Sequence, residues 1–134
     1  MKIKSLWIRD YQSVVDNGRN HSIVVDLPSS YGGSNNGPTA LEVCAMSLGG
    51  CIGTIFAMIA KKMKIEFDKL EVEMETEQKN NAQTITDVSI NLMIKSNSNH
   101  ENIEKCLEHT LNTCPVGLIF KQAGINIVHK ITML

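Results

Sequence analysis

Aromatic side chains are scarce in this chain: one tryptophan, two tyrosines and three phenylalanines among 134 residues. Neither sign of charge dominates, with thirteen Lys and Arg against fourteen Asp and Glu and a formal net charge of −1. A chain with no basic field and few stacking platforms lacks what nucleic-acid recognition requires, so no nucleic-acid partner is expected. Nor is there a basic segment followed by an apolar run and a small-residue cleavage site, so no secretory signal is read and a reducing cytoplasm is the expected location. In that compartment four cysteines act as thiols, ligands or catalysts more often than as permanent cross-links. No two of them stand in the C-x2-C spacing of a structural zinc site, and neither a metal nor a cofactor is expected. Internal repeats and low-complexity tracts are also missing.

Apolar residues make up 43% of the chain and charged residues 20%. That balance supports a packed core, and 134 residues suit one domain spanning 1–134. Residues 1–8 suggest a first strand continuing irregularly through Tyr11 to Val15. Asp16-Asn17-Gly18-Arg19-Asn20 reads as a hairpin turn, because Asn-Gly supplies positive φ. His21–Leu27 reads as a second strand, and the Pro-, Gly-, Ser- and Asn-rich residues 28–38 as a long loop. A helix follows from Pro38 or Thr39 to Met63, with Glu42 in its first turn and Lys61 and Lys62 in its last. From Val43 to Ala60 no charge occurs, which is the lower edge of a membrane span by length. Ser47, Gly49, Gly50, Gly53 and Thr54 and the strand-like flanks favour instead a helix buried on nearly all sides, with no membrane partner. One small domain hardly covers such a helix, which hints at a dimer. Strands at 65–78 and 84–95, helices at about 100–112 and from Cys114-Pro115 to Lys121, and a last strand Ile125–Met133 complete an α+β order ββ–α–ββ–αα–β with antiparallel strands.

The cysteines are Cys44, Cys51, Cys106 and Cys114. Cys44 and Cys51 lie seven residues apart on one helix, a rise of about 10.5 Å. A disulfide needs Cα atoms within roughly 7 Å, so these two cannot bridge each other. The same geometry disfavours Cys106 with Cys114 if their helix continues. Pro115 suits a first helical position, which puts Cys114 at an N-cap where unpaired N–H groups favour a thiolate. A small buried apolar residue under a helix start is the alternative. Gly49 and Gly50 each cost about 1 kcal/mol relative to alanine inside a helix, so something is expected to approach that backbone closely. His109 follows Cys106 by three residues, a spacing with no further ligands around it. Asn112 and Lys121 read as a helix end and a solvated charge.

Gly37-Pro38-Thr39-Ala40-Leu41-Glu42, Leu48-Gly49-Gly50-Cys51 and Lys61-Lys62-Met63, taken with Thr113-Cys114-Pro115-Val116, resemble the OsmC/Ohr family, the osmotically inducible and organic-hydroperoxide-resistance proteins. The order of elements matches across nearly the whole chain. The resemblance implies an OsmC-like α+β fold of antiparallel sheets around a long buried central helix, in an intertwined homodimer. It implies metal-free, thiol-dependent reduction of organic hydroperoxides, with Cys51 as the peroxidatic cysteine and Cys114 as the resolving one. A dithiol, of lipoyl type or small, would restore the thiols. Arg19 is the match to the family's active-site arginine, with a plain turn arginine as the alternative. The better-known hydroperoxide reductases carry a catalytic glutamate where this chain has Leu41. Glu42 follows the pattern of a less characterised OsmC-like branch and is the candidate for that role. At about 100° per residue, however, it stands opposite Cys51 on an ideal helix, and a first-turn glutamate serving the dipole is the other reading. A non-catalytic stress-response or ligand-binding protein, a thiol redox sensor and a disulfide isomerase are the competing functions.

Overall fold

Strand β1 (Lys4–Arg9) ends earlier than its residue pattern suggests. It turns at Asp10-Tyr11 and pairs antiparallel with β2 (Gln12–Asp16), so the expected irregular strand to Val15 is a hairpin. No glycine marks this turn. Asp10 itself takes φ 44°, a left-handed conformation that short polar side chains tolerate, and the Trp7 indole N–H donates to its carbonyl at 3.0 Å. The next turn falls where Asn-Gly predicts it. Strand β3 (Ser22–Val25) returns antiparallel to β2, with positive φ at Gly18 and Asn20. The Asp16 and Asn17 side chains accept from the backbone N–H groups of Gly18 and Arg19.

The long loop is tied at its base. Asp26 is 3% exposed, and its carboxylate accepts from the N–H groups of Asn36 at 3.1 Å and Leu27 at 2.7 Å. These donors, Asn36 foremost, hold it below the usual carboxylate range. Side chains at Gly33 and Gly37 would collide with the carbonyls of Leu27 and Val24, which accounts for the loop's glycines. These elements form the first of two compact units, Met1–Cys44 and Ala45–Leu134, in a computed structural model that describes residues 1–134.

Helix α1 (Ala40–Lys62) starts on a reciprocal cap. The Glu42 N–H donates to Thr39 Oγ1 at 3.1 Å, and the Thr39 N–H donates to Glu42 Oε2 at 2.6 Å. The helix ends on Lys64 at φ 58°, with the Ile65 N–H reaching back to the Ala60 carbonyl at 2.9 Å. Its length and mean hydropathy of 2.0 would suit a membrane span. Its buried residues Leu48, Ile52, Phe56 and Ala60 nevertheless recur every fourth position and belong to the core of the second unit. Burial on nearly all sides is not reached within one chain: Leu41, Met46 and Met58 remain exposed.

In the second unit, β4 (Phe67–Glu77) pairs antiparallel with β5 (Asp87–Ser96). Val88, Ile90, Leu92 and Ile94 of β5 are buried, as their alternation predicts, while Glu71, Glu73 and Glu75 of β4 face water. Helix α2 (His100–Thr113) is capped by Asn99, which accepts from the Asn102 N–H at 2.9 Å, and it buries Ile103, Leu107 and Leu111. Helix α3 (Pro115–Gln122) follows, and β6 (Asn126–Met133) closes the chain. Here the expectation of purely antiparallel sheets is corrected. β6 runs parallel to β5, so the order β4-β5-β6 forms a mixed sheet. The reason is the connection: a crossover through two helices returns the chain to the end where β5 began, whereas an antiparallel neighbour needs only a turn.

Candidate functional site

Cys51 and Cys114 are 63 residues apart in sequence and meet in the core of the second unit, where Cys114 Sγ donates to Cys51 Sγ at 2.7 Å. Each arrives by a simple device. Cys51 lies on the flank of the buried α1 stripe, between Leu48 and Ile52, and is half-buried. Cys114 is the single residue between α2 and α3, extended at φ −60°, ψ 113°, and fully buried. Its N–H closes α2 on the Thr110 carbonyl at 2.8 Å, and its carbonyl receives the Leu118 N–H at 3.0 Å to open α3. The sulfurs need to approach by less than an ångström to reach a disulfide bond of about 2.05 Å. No disulfide is present.

Cys114 is an N-cap, as Pro115 predicts, and its sulfur accepts from the Gly117 N–H at 3.3 Å. The expected acidic thiol is not what results. Burial pushes the Cys114 thiol up, and the neighbouring Cys51 sulfur adds to this, while the N–H groups of Gly117 and Val116 pull the other way and lose. Desolvation of a buried thiolate outweighs a helix start.

The glycines beside Cys51 divide. A side chain at Gly49 would meet Met74 Cε at 3.1 Å, the close approach that the sequence implies. Gly50 has nothing within 4 Å of that position, so one flank of Cys51 is open.

Cys106 lies apart from this pair. It is buried under α2, its thiol points to the Phe56 carbonyl at 3.8 Å, and burial raises it to about 11. Neither Cys106 nor His109 gains a ligand set: no three His, Cys, Asp or Glu side chains come together. Arg19 and Glu42 belong to the first unit. Arg19 is exposed in the β2–β3 turn, where its backbone N–H donates to Asn17 Oδ1 at 2.8 Å. Glu42 spends its carboxylate on the helix cap with Thr39. Lys121 is exposed, as its position suggests, and its ammonium also donates to the Leu111 carbonyl at 3.2 Å and to Asn112 Oδ1 at 3.4 Å. Asp26 and Lys121 both escape sequence reading, since nothing in their neighbourhoods marks a distant backbone partner.

Among curated proteins none matches the chain. Solved structures do. An OsmC-like protein from Mycoplasma pneumoniae superposes with a TM-score of 0.87 at 15% identity, over 99% of this chain and 96% of that one. An organic hydroperoxide resistance protein OsmC from Legionella pneumophila gives 0.69 at 13% identity, over 98% and 94%. The organic hydroperoxide resistance protein OhrB of Bacillus subtilis gives 0.63 at 16%, over 99% and 96%. At such identities these likenesses establish the fold, which is the OsmC-like α+β fold. The family model for OsmC-like proteins matches residues 33–130, a span that holds both Cys51 and Cys114, and the chain belongs to that family.

Proposed function

We propose that this protein reduces organic hydroperoxides in oxidative-stress defence, with Cys51 as the attacking thiol and Cys114 as the resolving one. The observation that carries the reading is the 2.7 Å contact between the two sulfurs. Two family members of the same fold are named for organic hydroperoxide resistance.

The Cys51 thiolate attacks the distal oxygen of R–O–OH. The O–O bond breaks, R–OH leaves with a proton, and Cys51 becomes a sulfenic acid. The Cys114 thiol then attacks the Cys51 sulfur. The S–S bond forms, the S–O bond breaks, and water leaves with the thiol proton. A dithiol, of lipoyl type or small, returns two electrons by exchange and restores both thiols. The burial that keeps Cys114 protonated suits this order, because a protonated thiol does not compete for peroxide. Arg19 stabilises the attacking thiolate and polarises the peroxide. Glu42 enters as the residue that holds the start of α1, and a proton-carrying role for it would cost that cap. The working form is a cytoplasmic homodimer. The exposed Leu41, Met46 and Met58 of α1 support a covering partner copy.

The test is to add one equivalent of tert-butyl hydroperoxide to reduced protein, trap the remaining thiols and map the peptides. A Cys51–Cys114 peptide pair, forming faster than with hydrogen peroxide, is expected. Saturable turnover with a dithiol should vanish in Cys51→Ser. Four alkylated cysteines after treatment would overturn the reading.

A further inference from the structure

We infer that Lys121 is the positioning residue of the resolving cysteine: its ammonium donates to a carbonyl left open at the end of α2, and so holds the corner that aims Cys114 at Cys51. The inference rests on the thiol-pair reading above and deepens it.

The end of α2 at Cys114 leaves a gap in its hydrogen bonding. Each helical carbonyl expects the N–H four residues on. The Thr110 carbonyl finds its donor, Cys114, at 2.8 Å. The next carbonyl, Leu111, would look to residue 115, but the extended Cys114 at ψ 113° turns that residue into the first turn of α3, and as proline it has no N–H. Leu111 is 9% exposed, so its carbonyl cannot simply be left to water without cost. Lys121, in the last turn of α3, supplies the missing donor at 3.2 Å, with a second bond to Asn112 Oδ1 at 3.4 Å. An ammonium at the end of a helix ordinarily serves that helix's own final carbonyls. This one reaches instead to the end of the preceding helix.

The consequence for Cys114 is geometric. The bond from Lys121 to Leu111 closes the chain around the α2–α3 corner, and Cys114 is the only residue at that corner outside both helices. Its sulfur is set by the Gly117 N–H within α3 and points at Cys51. Any rotation of α3 against α2 therefore swings Cys114 Sγ relative to α1. Disulfide closure demands a specific sulfur approach, so a loose corner slows closure while leaving the attack of Cys51 on peroxide untouched.

The experiment separates these two steps. Reduced Lys121→Met and wild type are given one equivalent of tert-butyl hydroperoxide, and Cys51 sulfenic acid (trapped with dimedone) and Cys51–Cys114 disulfide are followed by mass. In Lys121→Met, sulfenic acid should form at the wild-type rate while closure slows about tenfold, the scale of one charge-assisted hydrogen bond. Lys121→Arg should close like wild type. Lys121→Ala, followed in the same way, serves if Lys121→Met does not fold. Closure at the wild-type rate in a folded Lys121→Met or Lys121→Ala would overturn the inference. If wild type forms neither product with peroxide, the hydroperoxide reading fails by itself. The lysine is then judged in a dithiothreitol redox buffer, where Lys121→Met should shift the Cys51–Cys114 equilibrium toward the dithiol about tenfold, or about 30 mV. An unshifted equilibrium there, or a wild type that forms no Cys51–Cys114 bond in that buffer, would sink the inference as well.

Discussion

Between Ala45 and Leu134 the chain buries a continuous apolar cluster drawn from α1, β5, α2 and α3, with Phe56, Ile90, Leu92, Ile103 and Leu107 at 2% exposure or less. Between Met1 and Cys44 not one apolar residue is buried: Leu6 is 54% exposed and Trp7 65%, and the single buried side chain is the carboxylate of Asp26. The second unit is held by area removed from water. The first is held by strand pairing, by turn residues with positive φ and by one carboxylate gathering backbone donors. A three-stranded sheet needs a covered face to be stable by itself, so the first unit's open apolar side chains are the mark of an element completed by something else. The Cys51–Cys114 contact lies in the unit that owns a core, where burial keeps the Cys114 thiol protonated.

The comparison can be broken at several points. The largest effect is expected from Phe56→Ala, which should cost about 3–5 kcal/mol in denaturant unfolding because it opens a cavity in the only core. Trp7→Ala should instead leave near-wild-type stability at high protein concentration and weaken association on dilution, read by sedimentation. A large loss independent of concentration would show that β1 has its own core after all. Gly49→Ala and Gly50→Ala sharpen the same contrast. The first should be near neutral, its helix gain of about 1 kcal/mol offset by the 3.1 Å approach to the Met74 methyl. The second should stabilise the isolated chain by about 1 kcal/mol if that flank stays open, and disrupt the dimer if a second copy packs there.

The smaller effects are in pH. Burial raises Cys106 from 9.0 to about 11 and raises Cys114 as well. The folded state then holds protons that the unfolded state releases, so stability is full below about pH 9 and falls as pH rises toward 11. Cys106→Ala should flatten part of that fall. At the acid end the sign reverses for Asp87, drawn down to about 2 by Lys79 at 2.8 Å and by Thr86 and Asn126. Its contribution is present above the ordinary carboxylate range and is lost as pH falls toward 2, so the acid slope should shrink in Asp87→Asn. Asp26 behaves likewise in the first unit, where Asp26→Asn should raise hydrogen exchange in residues 27–36 without moving the main unfolding transition.

Much of this was legible in the residues because the signals are local. The alternation in β4 and β5, the start and end of α1, the Asn-Gly turn and the Pro115 helix start each follow from the nearest neighbours, and each element formed where those neighbours direct. The Asp10 turn escaped because it uses an aspartate where a glycine would have advertised it. The parallel pairing of β6 escaped because direction is set by the path of the crossover rather than by any residue in the strand. Among the candidate site residues, the expectation of a thiolate-favouring N-cap at Cys114 failed on burial, a property of the whole core.

By itself the sequence determined the order of elements from α1 to β6, the exclusion of a Cys44–Cys51 bridge and the N-cap position of Cys114, since each depends on spacing along the chain and on backbone chemistry a few residues wide. Only the tertiary structure decided that two cysteines 63 residues apart share one contact, that desolvation beats the helix start at Cys114, and that the Leu111 carbonyl at the end of α2 is met by Lys121. Each of these is a distance between atoms that the chain brings together from separate helices, and no local pattern encodes such a distance.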